Sequence, residues 1–304
     1  MNDQLADLDE RRGRVFVGPA GLRGILDSGR PVTILDVRWA LGRSDGREQY
    51  LAAHIPGAVY VDLETELSGP ATAATGRHPL PSVEALQDSA RSWGVRPRVP
   101  VVVYDSVGGL SAARAWWLLR WGGHDDVRIL DGGLAAWVDR GGETESRDVV
   151  VPEGDVVLRP GQLPVLDADS AAELARTGVL LDARAAERYR GDVEPVDPRA
   201  GHVPGARSAP TAASLGPDGR LLDATDLVAA FAGHGITAAD AAPAHPGAAP
   251  RIGAYCGSGV TASHAVAVLA GLGVDAALYP GSWSQWSNDP RRPAATGSEP
   301  GGLT

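Results

Sequence analysis

The sequence predicts an α/β protein that consists of two tandem copies of one domain, each a mainly parallel sheet flanked by helices. Short apolar runs alternate with longer helical patterns, and this order is typical of parallel sheets with helical crossovers. The same residue landmarks also occur twice, in the same order and about 150 residues apart, in a chain of 304 residues. We therefore expect a first domain at residues 1–145, a linker at 146–163 and a second domain at 164–304.

The repeat rests on four pairs of residues at nearly constant spacing. They are Asp36 and Asp182, His54 and His202, Asp105 and Cys256, and Trp137 and Trp286. A duplication explains this constant spacing better than chance does. The copies differ at the third pair, because the second copy has a cysteine where the first has an aspartate. The two copies therefore need not be equally active.

Each copy has predicted strands and one long predicted helix in corresponding places. Predicted strands lie at 33–37, 101–104, 127–130, 179–182, 252–255 and 276–279, and predicted helices at 111–121 and 261–272. Glycines follow both helices, as is common at helix C-termini. The segment 238–250, rich in Ala and Pro, is expected to form a flexible loop, and the tail from Pro290 is expected to fray.

Composition limits the classes of function that remain. The chain has 28 arginines, no lysine, 38 acidic residues and a net charge of −10, which argues against a nucleic-acid partner. No apolar run is long enough to span a membrane and no secretory signal is visible, so we expect a cytoplasmic protein without a membrane partner. The single cysteine excludes an intrachain disulfide and a multi-cysteine metal site. Neither a metal nor a cofactor is expected.

Five histidines show no metal-ligand spacing. They are His78, His124, His234, His245 and His264, and we expect them to be surface residues or core residues with satisfied hydrogen bonds.

Cys256 stands where an apolar strand passes into a predicted helix, and reactive groups in open α/β sheets lie at the carboxyl ends of strands. The glycines of the loop 256–261 allow successive N–H groups to turn inward, and such a nest at a helix N-terminus stabilises an anion. A thiolate held there is nucleophilic near neutral pH, and the same donors stabilise a persulfide. The alternative is a buried cysteine with a purely structural role. Ala262 stands where the Cys-x5-Arg loop of cysteine phosphatases has its arginine, so phosphate-ester hydrolysis is disfavoured.

Three sets of motifs connect this chain to a known family. They are Asp-x-x-Trp at Asp36, the His-[Ile/Val]-Pro-Gly-Ala motifs at His54 and His202, and Tyr-Pro-Gly-Ser-Trp-Ser-Gln-Trp from Tyr279. Along nearly its whole length the chain resembles the two-domain rhodanese family of sulfurtransferases. The loop Cys-Gly-Ser-Gly-Val-Thr is similar to the 3-mercaptopyruvate type, whereas the thiosulfate type characteristically reads Cys-Arg-Lys-Gly-Val-Thr. One departure is Gln285, where the family usually has Glu.

The resemblance implies that the first copy, which has Asp105 in place of the cysteine, is catalytically inactive. It also implies site residues. Arg188 matches the first substrate arginine of the family, and Arg199 is the best match for the second. In mercaptopyruvate-type enzymes the serine two residues after the nucleophile is linked to a His and an Asp of the first domain. The matching residues here are Ser258, His54 and Asp36. The alternative is that the latter two are structural, because the second copy has a histidine and an aspartate in the equivalent places.

Together these features predict a sulfurtransferase that works without a cofactor. Cys256 takes sulfur from a small anionic donor, 3-mercaptopyruvate, and passes it to a thiol or to cyanide, with a thioredoxin-like protein as one candidate acceptor. Loop residues that we expect to contact the donor are Gly257, Gly259, Val260 and Thr261. Two alternatives stay open, namely a thiosulfate:cyanide sulfurtransferase and a non-catalytic persulfide carrier or sensor.

Overall fold

The computed structural model describes residues 2–237, 240 and 250–301. Most of the loop expected at 238–250 therefore lies outside the described residues. Two parallel sheets are present in the described part, one in each copy, and helices flank both of them. This arrangement confirms the predicted α/β class and the duplication.

The first copy contains five strands and seven helices. The strands are β1 (Phe16–Val17), β2 (Thr33–Asp36), β3 (Val59–Tyr60), β4 (Val101–Tyr104) and β5 (Val127–Leu130). The helices are α1 (Asn2–Val15), α2 (Pro19–Asp27), α3 (Gly46–Ala52), α4 (Leu63–Glu66), α5 (Val83–Ser92), α6 (Ala112–Trp121) and α7 (Gly133–Asp139).

The described part of the second copy contains four strands and five α-helices. The strands are β6 (Val179–Asp182), β7 (Arg207–Ser208), β8 (Ile252–Tyr255) and β9 (Ala277–Leu278). The helices are α8 (Ala168–Thr177), α9 (Ala186–Arg190), α10 (Ala224–Ala232), α11 (Thr261–Gly271) and α12 (Ser282–Trp286), with a 3-10 turn at Thr211–Ser214.

The two sheets share one strand order. In the first copy it is β1-β5-β4-β2-β3. In the second copy, read from the corresponding edge, it is β9-β8-β6-β7, so β5 corresponds to β9, β4 to β8 and β2 to β6. All strand pairs are parallel, with Asp36 beside Tyr104 and Asp182 beside Tyr255 at equivalent register positions. Strands covered by helices on both faces are expected to be apolar throughout, and β4 and β8 are buried along their full length.

The two copies share one apolar core. Helices α6 and α11 pack against each other, and α1 also packs on α11 across the boundary between the copies. A single cluster of buried apolar side chains contains residues of both copies, for example Leu119 and Val268. This packing brings the loop before α11 close to segments of the first copy.

Residues 146–163 contact the first copy, and the tail from Pro290 contacts the second copy. Residues 146–163 contain neither helix nor strand, but Val156 donates a backbone hydrogen bond to Val95 of the first copy. The expectation that the tail frays needs correction, because Ala295 exchanges two backbone hydrogen bonds with His202 and Gly205 donates one to Pro300. No helix in the described part of the chain is long and apolar enough to cross a membrane.

Candidate active site

Cys256 lies in the loop between the end of β8 and the start of α11. Its Sγ accepts a hydrogen bond from the N–H of Gly259 at 3.2 Å, and its own N–H donates to Ser282 Oγ at 3.2 Å. Gly259 has φ +78°, and a Cβ there would lie 2.7 Å from the carbonyl oxygen of Pro280, so only glycine fits this turn. The loop geometry therefore turns one main-chain donor directly onto the sulfur.

The sulfur atom belongs to a side chain that is only 2% exposed but that lines a cavity of about 440 Å³. This volume is in the range of small-molecule sites. Both copies contribute to the lining. The lining includes Trp39, Leu41, Arg77 and Leu110 of the first copy and Arg184, Arg188, Thr211, Cys256, Gly257, Ser258, Val260 and Thr261 of the second. Buried Cys256 thus faces a space that can admit a small molecule.

Two guanidinium groups stand over the cysteine loop. A Cβ placed on Gly257 would lie 2.9 Å from Arg77 Nη2 and 3.5 Å from Arg188 Nη1, so both arginines reach the residue that follows the cysteine. Each of the two Nε atoms is buried and has no hydrogen-bond partner among the described residues. The two guanidinium groups line the cavity, and a pair of this kind suits a carboxylate or sulfonate.

Asp197 holds these two arginines together across the boundary between the copies. It pairs with Arg77 of the first copy, and its Oδ2 accepts from Arg188 Nη2 at 3.1 Å. Glu194 Oε1 accepts from the same Arg188 nitrogen at 2.6 Å. Burial raises the pKa of Asp197, whereas Arg77 and Arg188 act in the opposite direction. The carboxylates offset part of the positive charge at the cavity.

Ser258 is joined to a histidine and a glutamate of the first copy. Its Oγ lies 2.7 Å from His78 Nδ1, and His78 Nε2 lies 3.1 Å from both carboxylate oxygens of Glu64. Trp39 holds this hydrogen-bonded path in place, because its Nε1 donates to Glu64 Oε1 at 2.7 Å and its ring packs edge-on against the ring of His78. Asp62 caps the helix that carries Glu64. The result is a continuous path from the cavity to a surface carboxylate.

The protonation state of His78 follows from its position. Burial lowers the pKa of His78, and the nearby Glu64 only partly opposes this decrease. The imidazole is therefore neutral at pH 7. Because the carboxylate of Glu64 accepts a hydrogen bond from the Nε2–H group of His78, the Nδ1 atom is left to accept a hydrogen bond from the Ser258 hydroxyl.

His54 and Asp36 are not part of this path, which corrects the prediction that they are linked to Ser258. His54 Nδ1 lies 2.8 Å from the carbonyl oxygen of Tyr50, and its ring stacks on that tyrosine at 4.0 Å. Asp36 makes a two-pronged ion pair with Arg38, with Arg38 Nη2 at 2.6 Å from Oδ2. Both side chains are fully buried within the first copy.

The second copy repeats these contacts and so explains them. His202 lies 2.8 Å from the Tyr189 carbonyl and stacks on that ring, and Asp182 pairs with Arg184 at 2.6 Å. Contacts that occur in both copies belong to the fold. The repeated contacts therefore favour the structural alternative for His54 and Asp36.

Arg199 also lies away from the cavity. Its guanidinium donates to the carbonyls of Trp286, Ser287, Asp289 and Arg292 at 2.8–2.9 Å. These carbonyls lie at and beyond the C-terminal end of α12, where unpaired acceptors remain. The prediction that Arg199 contacts the donor is corrected accordingly, and Arg77 occupies the place beside Arg188.

Sequence reasoning missed Arg77, His78 and Glu64, and expected His78 to be an ordinary surface or core residue. All three lie in the first copy, outside the repeated motifs. A useful signal was present in Gly76-Arg77-His78, where two polar side chains adjoin a glycine. Gly76 has φ +87°, and a Cβ there would lie 2.6 Å from the carbonyl oxygen of Gly281 in the second copy. This close approach docks the segment beside the cysteine loop.

In the first copy, the side chain of Asp105 occupies the loop that corresponds to the cysteine loop. The Asp105 carboxylate accepts four main-chain hydrogen bonds at 2.8–2.9 Å. The donors are the N–H groups of Val107, Gly109, Ser111 and Ala112. In the first copy a carboxylate held by main-chain donors thus occupies the position that corresponds to the cysteine.

No cluster of three or more His, Cys, Asp or Glu side chains within residues 2–237, 240 and 250–301 is placed to hold a metal ion. The chemistry that the site offers is that of a sulfur nucleophile, a pair of arginines and a hydroxyl–imidazole–carboxylate path.

The chain is similar to known proteins in sequence and in overall structure. The family model described as "Rhodanese-like domain" matches residues 19–140 and 167–289. A putative thiosulfate sulfurtransferase, SseB, of Mycobacterium tuberculosis is 49% identical over 294 residues, which cover 95% of this chain and 99% of that protein. A probable 3-mercaptopyruvate sulfurtransferase of Pseudomonas aeruginosa is 45% identical over 284 residues, covering 87% and 92%. The crystal structure of the 3-mercaptopyruvate sulfurtransferase SseA from Escherichia coli is 35% identical, with a TM-score of 0.75 and coverage of 88% of this chain and 98% of that one.

Proposed function

Because the chain belongs to the rhodanese family and is a two-domain sulfurtransferase, we propose that it moves sulfur from 3-mercaptopyruvate through a persulfide on Cys256. The acceptor in this proposal is a thiol or cyanide. The observation that carries the choice of donor is the contact of 2.7 Å between Ser258 and His78, because it supplies a proton path that only one of the two candidate donors needs.

Arg77 and Arg188 bind the donor through its carboxylate. Both lie over the residue that follows Cys256, so a carboxylate held between them places the donor's sulfur near Sγ. Both side chains line the cavity, so their guanidinium groups can donate to this anion. Contacts from the loop residues Gly257, Val260 and Thr261, which also line the cavity, complete the binding site.

In the first half-reaction the Cys256 thiolate attacks the sulfur of the donor. A sulfur–sulfur bond forms, the carbon–sulfur bond of the donor breaks, and its electron pair stays on the carbon as the enolate of pyruvate. The N–H of Gly259, which already bonds to Sγ at 3.2 Å, stabilises the sulfur anion before and after this transfer.

The proton balance explains the role of Ser258 and His78. The donor's thiol gives up one proton and the enolate carbon takes one up, so the reaction needs a shuttle and no outside acid. Neutral His78 accepts the thiol proton through the Ser258 hydroxyl and returns it by the same path, while Glu64 stabilises the imidazolium that forms in between.

In the second half-reaction an acceptor thiolate attacks the outer sulfur of the persulfide and restores the Cys256 thiolate. We propose a dithiol protein of the thioredoxin type as the acceptor in the cell. The free thiol of Cys256 requires a reducing compartment, and for this reason we place the reaction in the cytoplasm.

The test compares the two donors in the same assay. We expect kcat/KM to be higher for 3-mercaptopyruvate than for thiosulfate, and mass spectrometry after donor addition to show one extra sulfur atom on the Cys256 peptide. Cys256→Ser is the control, and it should abolish both signals. A kcat/KM that favours thiosulfate would overturn the choice of donor, and turnover by the serine variant would overturn the persulfide.

Thiosulfate is the second candidate donor, and one observation favours it. The relative with 49% identity carries the name of a putative thiosulfate sulfurtransferase. Transfer from thiosulfate releases sulfite and needs no proton shuttle, so it leaves the Ser258–His78 contact without a task. A pure persulfide carrier, the remaining alternative, would form the persulfide but show no turnover with cyanide.

A further inference from the structure

Arg114, in the first turn of α6, is a fully buried arginine without a carboxylate partner in the described part of the chain. Its guanidinium donates only to carbonyl oxygens, those of Leu67, His78, Pro79 and Gly259, at 2.9–3.4 Å. Other buried arginines of this protein are paired. Arg38 and Arg184, for example, each bond to an aspartate at 2.6 Å.

A buried cation without a counter-charge is unfavourable, because it loses its hydration and gains no opposite charge in return. Carbonyl dipoles replace part of the hydration of Arg114. Burial lowers the pKa of Arg114 to about 10, so the side chain still carries its charge at neutral pH, and attraction to Cys256 works against this decrease. The site therefore contains a fixed positive charge for which an anion is needed nearby.

Gly259 connects that charge to the cysteine. Its carbonyl oxygen accepts from Arg114 Nη1 at 3.4 Å, and its N–H donates to Cys256 Sγ at 3.2 Å. The Arg114 guanidinium is fully buried and is not among the residues that line the cavity, so the donor does not reach it. A second bond, from Nη2 to the carbonyl of His78 at 2.9 Å, connects Arg114 to the residue that contacts Ser258.

The opposite loop offers an internal comparison. Helix α11 packs against α6 and also has one buried basic side chain in its first turn, His264, which lies close to Gly109 in the loop of Asp105. Burial lowers the pKa of His264 to about 4, so this side chain is neutral. Asp105 is stabilised by four N–H groups, whereas the sulfur of Cys256 has one described main-chain donor. The cations around that sulfur are Arg77 and Arg188 on the cavity side, whose charge Asp197 and Glu194 offset, and Arg114, which has no such carboxylate among the described residues.

We propose that Arg114 is the counter-charge that keeps the Cys256 sulfur anionic, first as the thiolate and then as the persulfide. The copy that lacks the nucleophile would then supply the charge that activates it. Arg114 is a positioning residue, because it acts through Gly259 and does not touch the donor. The inference rests on the proposed function in one respect, namely that Cys256 reacts as a thiolate.

The test uses the fact that the full chain has one cysteine. Alkylation by iodoacetamide therefore reports on Cys256 alone, and its rate follows the thiolate fraction as the pH is varied. In Arg114→Gln, which keeps amide donors for the carbonyls but loses the charge, we expect the midpoint of the pH profile to rise by about one unit or more. At a pH below both midpoints the alkylation rate would then fall about tenfold or more, with an unchanged plateau at high pH.

Two further variants distinguish the effect of the Arg114 charge on the midpoint from a general loss of structure. Arg114→Lys keeps the charge, and we expect its midpoint to stay close to that of the wild type. Arg12→Met is the control for contacts between the copies, because Arg12 joins Leu222 and Asp131 far along the chain from the cysteine loop. We expect it to lower the unfolding temperature without moving the midpoint. An unchanged midpoint in folded Arg114→Gln would overturn the proposal.

A second measurement decides the matter if Arg114→Gln does not fold. Removal of the thiolate in Cys256→Ala leaves Arg114 without its counter-charge, so the wild type should gain stability over this variant as the pH rises from 6 to 9. Equal unfolding temperatures across that range would contradict the proposal. Failure of the proposed function is a different result, since the wild type would then form no persulfide with either donor.

Discussion

Ser258, His78 and Glu64 form one hydrogen-bonded chain, and at the scale of single residues this chain distinguishes the two candidate donors. Attack on mercaptopyruvate moves a proton from sulfur to carbon, whereas attack on thiosulfate moves none. A shuttle speeds up only the reaction that contains a proton transfer. The effect of removing His78 is therefore specific to one donor.

In His78→Gln we expect kcat with mercaptopyruvate to fall by about 100-fold or more, which is the usual contribution of a general acid–base group. The rate with thiosulfate should change far less. Steady-state assays with both donors measure this ratio. The matched control is His54→Gln, which removes a buried histidine that does not line the cavity. This variant should leave the ratio of the two rates unchanged. Equal losses with both donors in His78→Gln would speak against the shuttle.

Arg77 provides the second prediction at this scale. In Arg77→Met we expect KM for mercaptopyruvate to rise about tenfold or more, since a hydrogen bond to a charged group contributes about 1.5–3 kcal/mol. Because Arg77 binds the carboxylate and not the reacting atoms, kcat should change less than KM.

Arg199→Met is the control for Arg77→Met. Its guanidinium holds the carbonyls after α12, so its loss should lower the unfolding temperature and leave KM unchanged. Steady-state kinetics and a thermal melt of both variants check the pair. A higher KM in the Arg199 variant would restore the original assignment of the second arginine.

At the scale of single elements, the two strand–loop–helix units show how one loop serves two purposes. In the first copy the loop after β4 binds the carboxylate of Asp105 with four N–H groups. In the second copy the loop after β8 turns an N–H group onto Cys256 Sγ. The same backbone arrangement stabilises an internal anion in one case and a reactive sulfur in the other.

Asp105→Asn tests this difference between the copies. An amide has only one oxygen, so two of the four N–H groups would face an NH2 group, and we expect a loss of about 1–3 kcal/mol of stability. Urea unfolding measures that loss. Persulfide formation on Cys256, followed by mass spectrometry, should continue largely unchanged. If the folded variant failed to form the persulfide, the first loop would have a role in the reaction.

At the scale of the whole molecule, the packing of α6 on α11 makes the two copies one unit. The site exists only in that unit, because the nucleophile comes from one copy and Arg77, His78 and Glu64 come from the other. The interface also buries His264, whose Nδ1 bonds to the Thr211 hydroxyl at 2.8 Å while its Nε2 has no described partner. A charge on this imidazole is incompatible with the packed interface.

The pH dependence of stability follows from His264. Burial lowers the pKa of His264 to about 4 in the folded state, against about 6.5 in the unfolded chain, so the unfolded chain binds the proton more tightly between these values. Protonation of His264 therefore does not affect the free energy of unfolding above about pH 6.5. As the pH falls toward 4, it lowers the free energy of unfolding by up to about 3 kcal/mol.

In the non-titrating variant His264→Met we expect a smaller loss of stability between pH 7.5 and pH 5 than in the wild type. Urea unfolding at the two pH values gives the slope, which is the quantity to compare because the variant also lacks the bond to Thr211. Identical slopes in the two proteins would show that His264 does not titrate as described.

The fold was largely predictable, and the site only in part. The predicted strands were found within one or two residues of their places, because buried parallel strands such as β4 and β8 are continuous apolar runs. The cysteine loop was found because its strand, glycines and helix are neighbours in sequence, whereas Arg188 was assigned from the resemblance to the family. His54 and Asp36 were misassigned, since a motif shows that a residue is required but not whether the fold or the reaction requires it.

By itself, the sequence determined the α/β class, the duplication and the single cysteine in a glycine loop before a helix. Each depends on residues a few positions apart or on a pattern that repeats along the chain. Tertiary structure alone decided which residues surround the cysteine. Arg77 and Asp197 lie 120 positions apart and His78 and Ser258 lie 180 apart, so no local pattern records these contacts. These contacts form when the two copies dock. Burial of the apolar faces of the helices drives this docking, and the charged groups of the two copies become neighbours as a result.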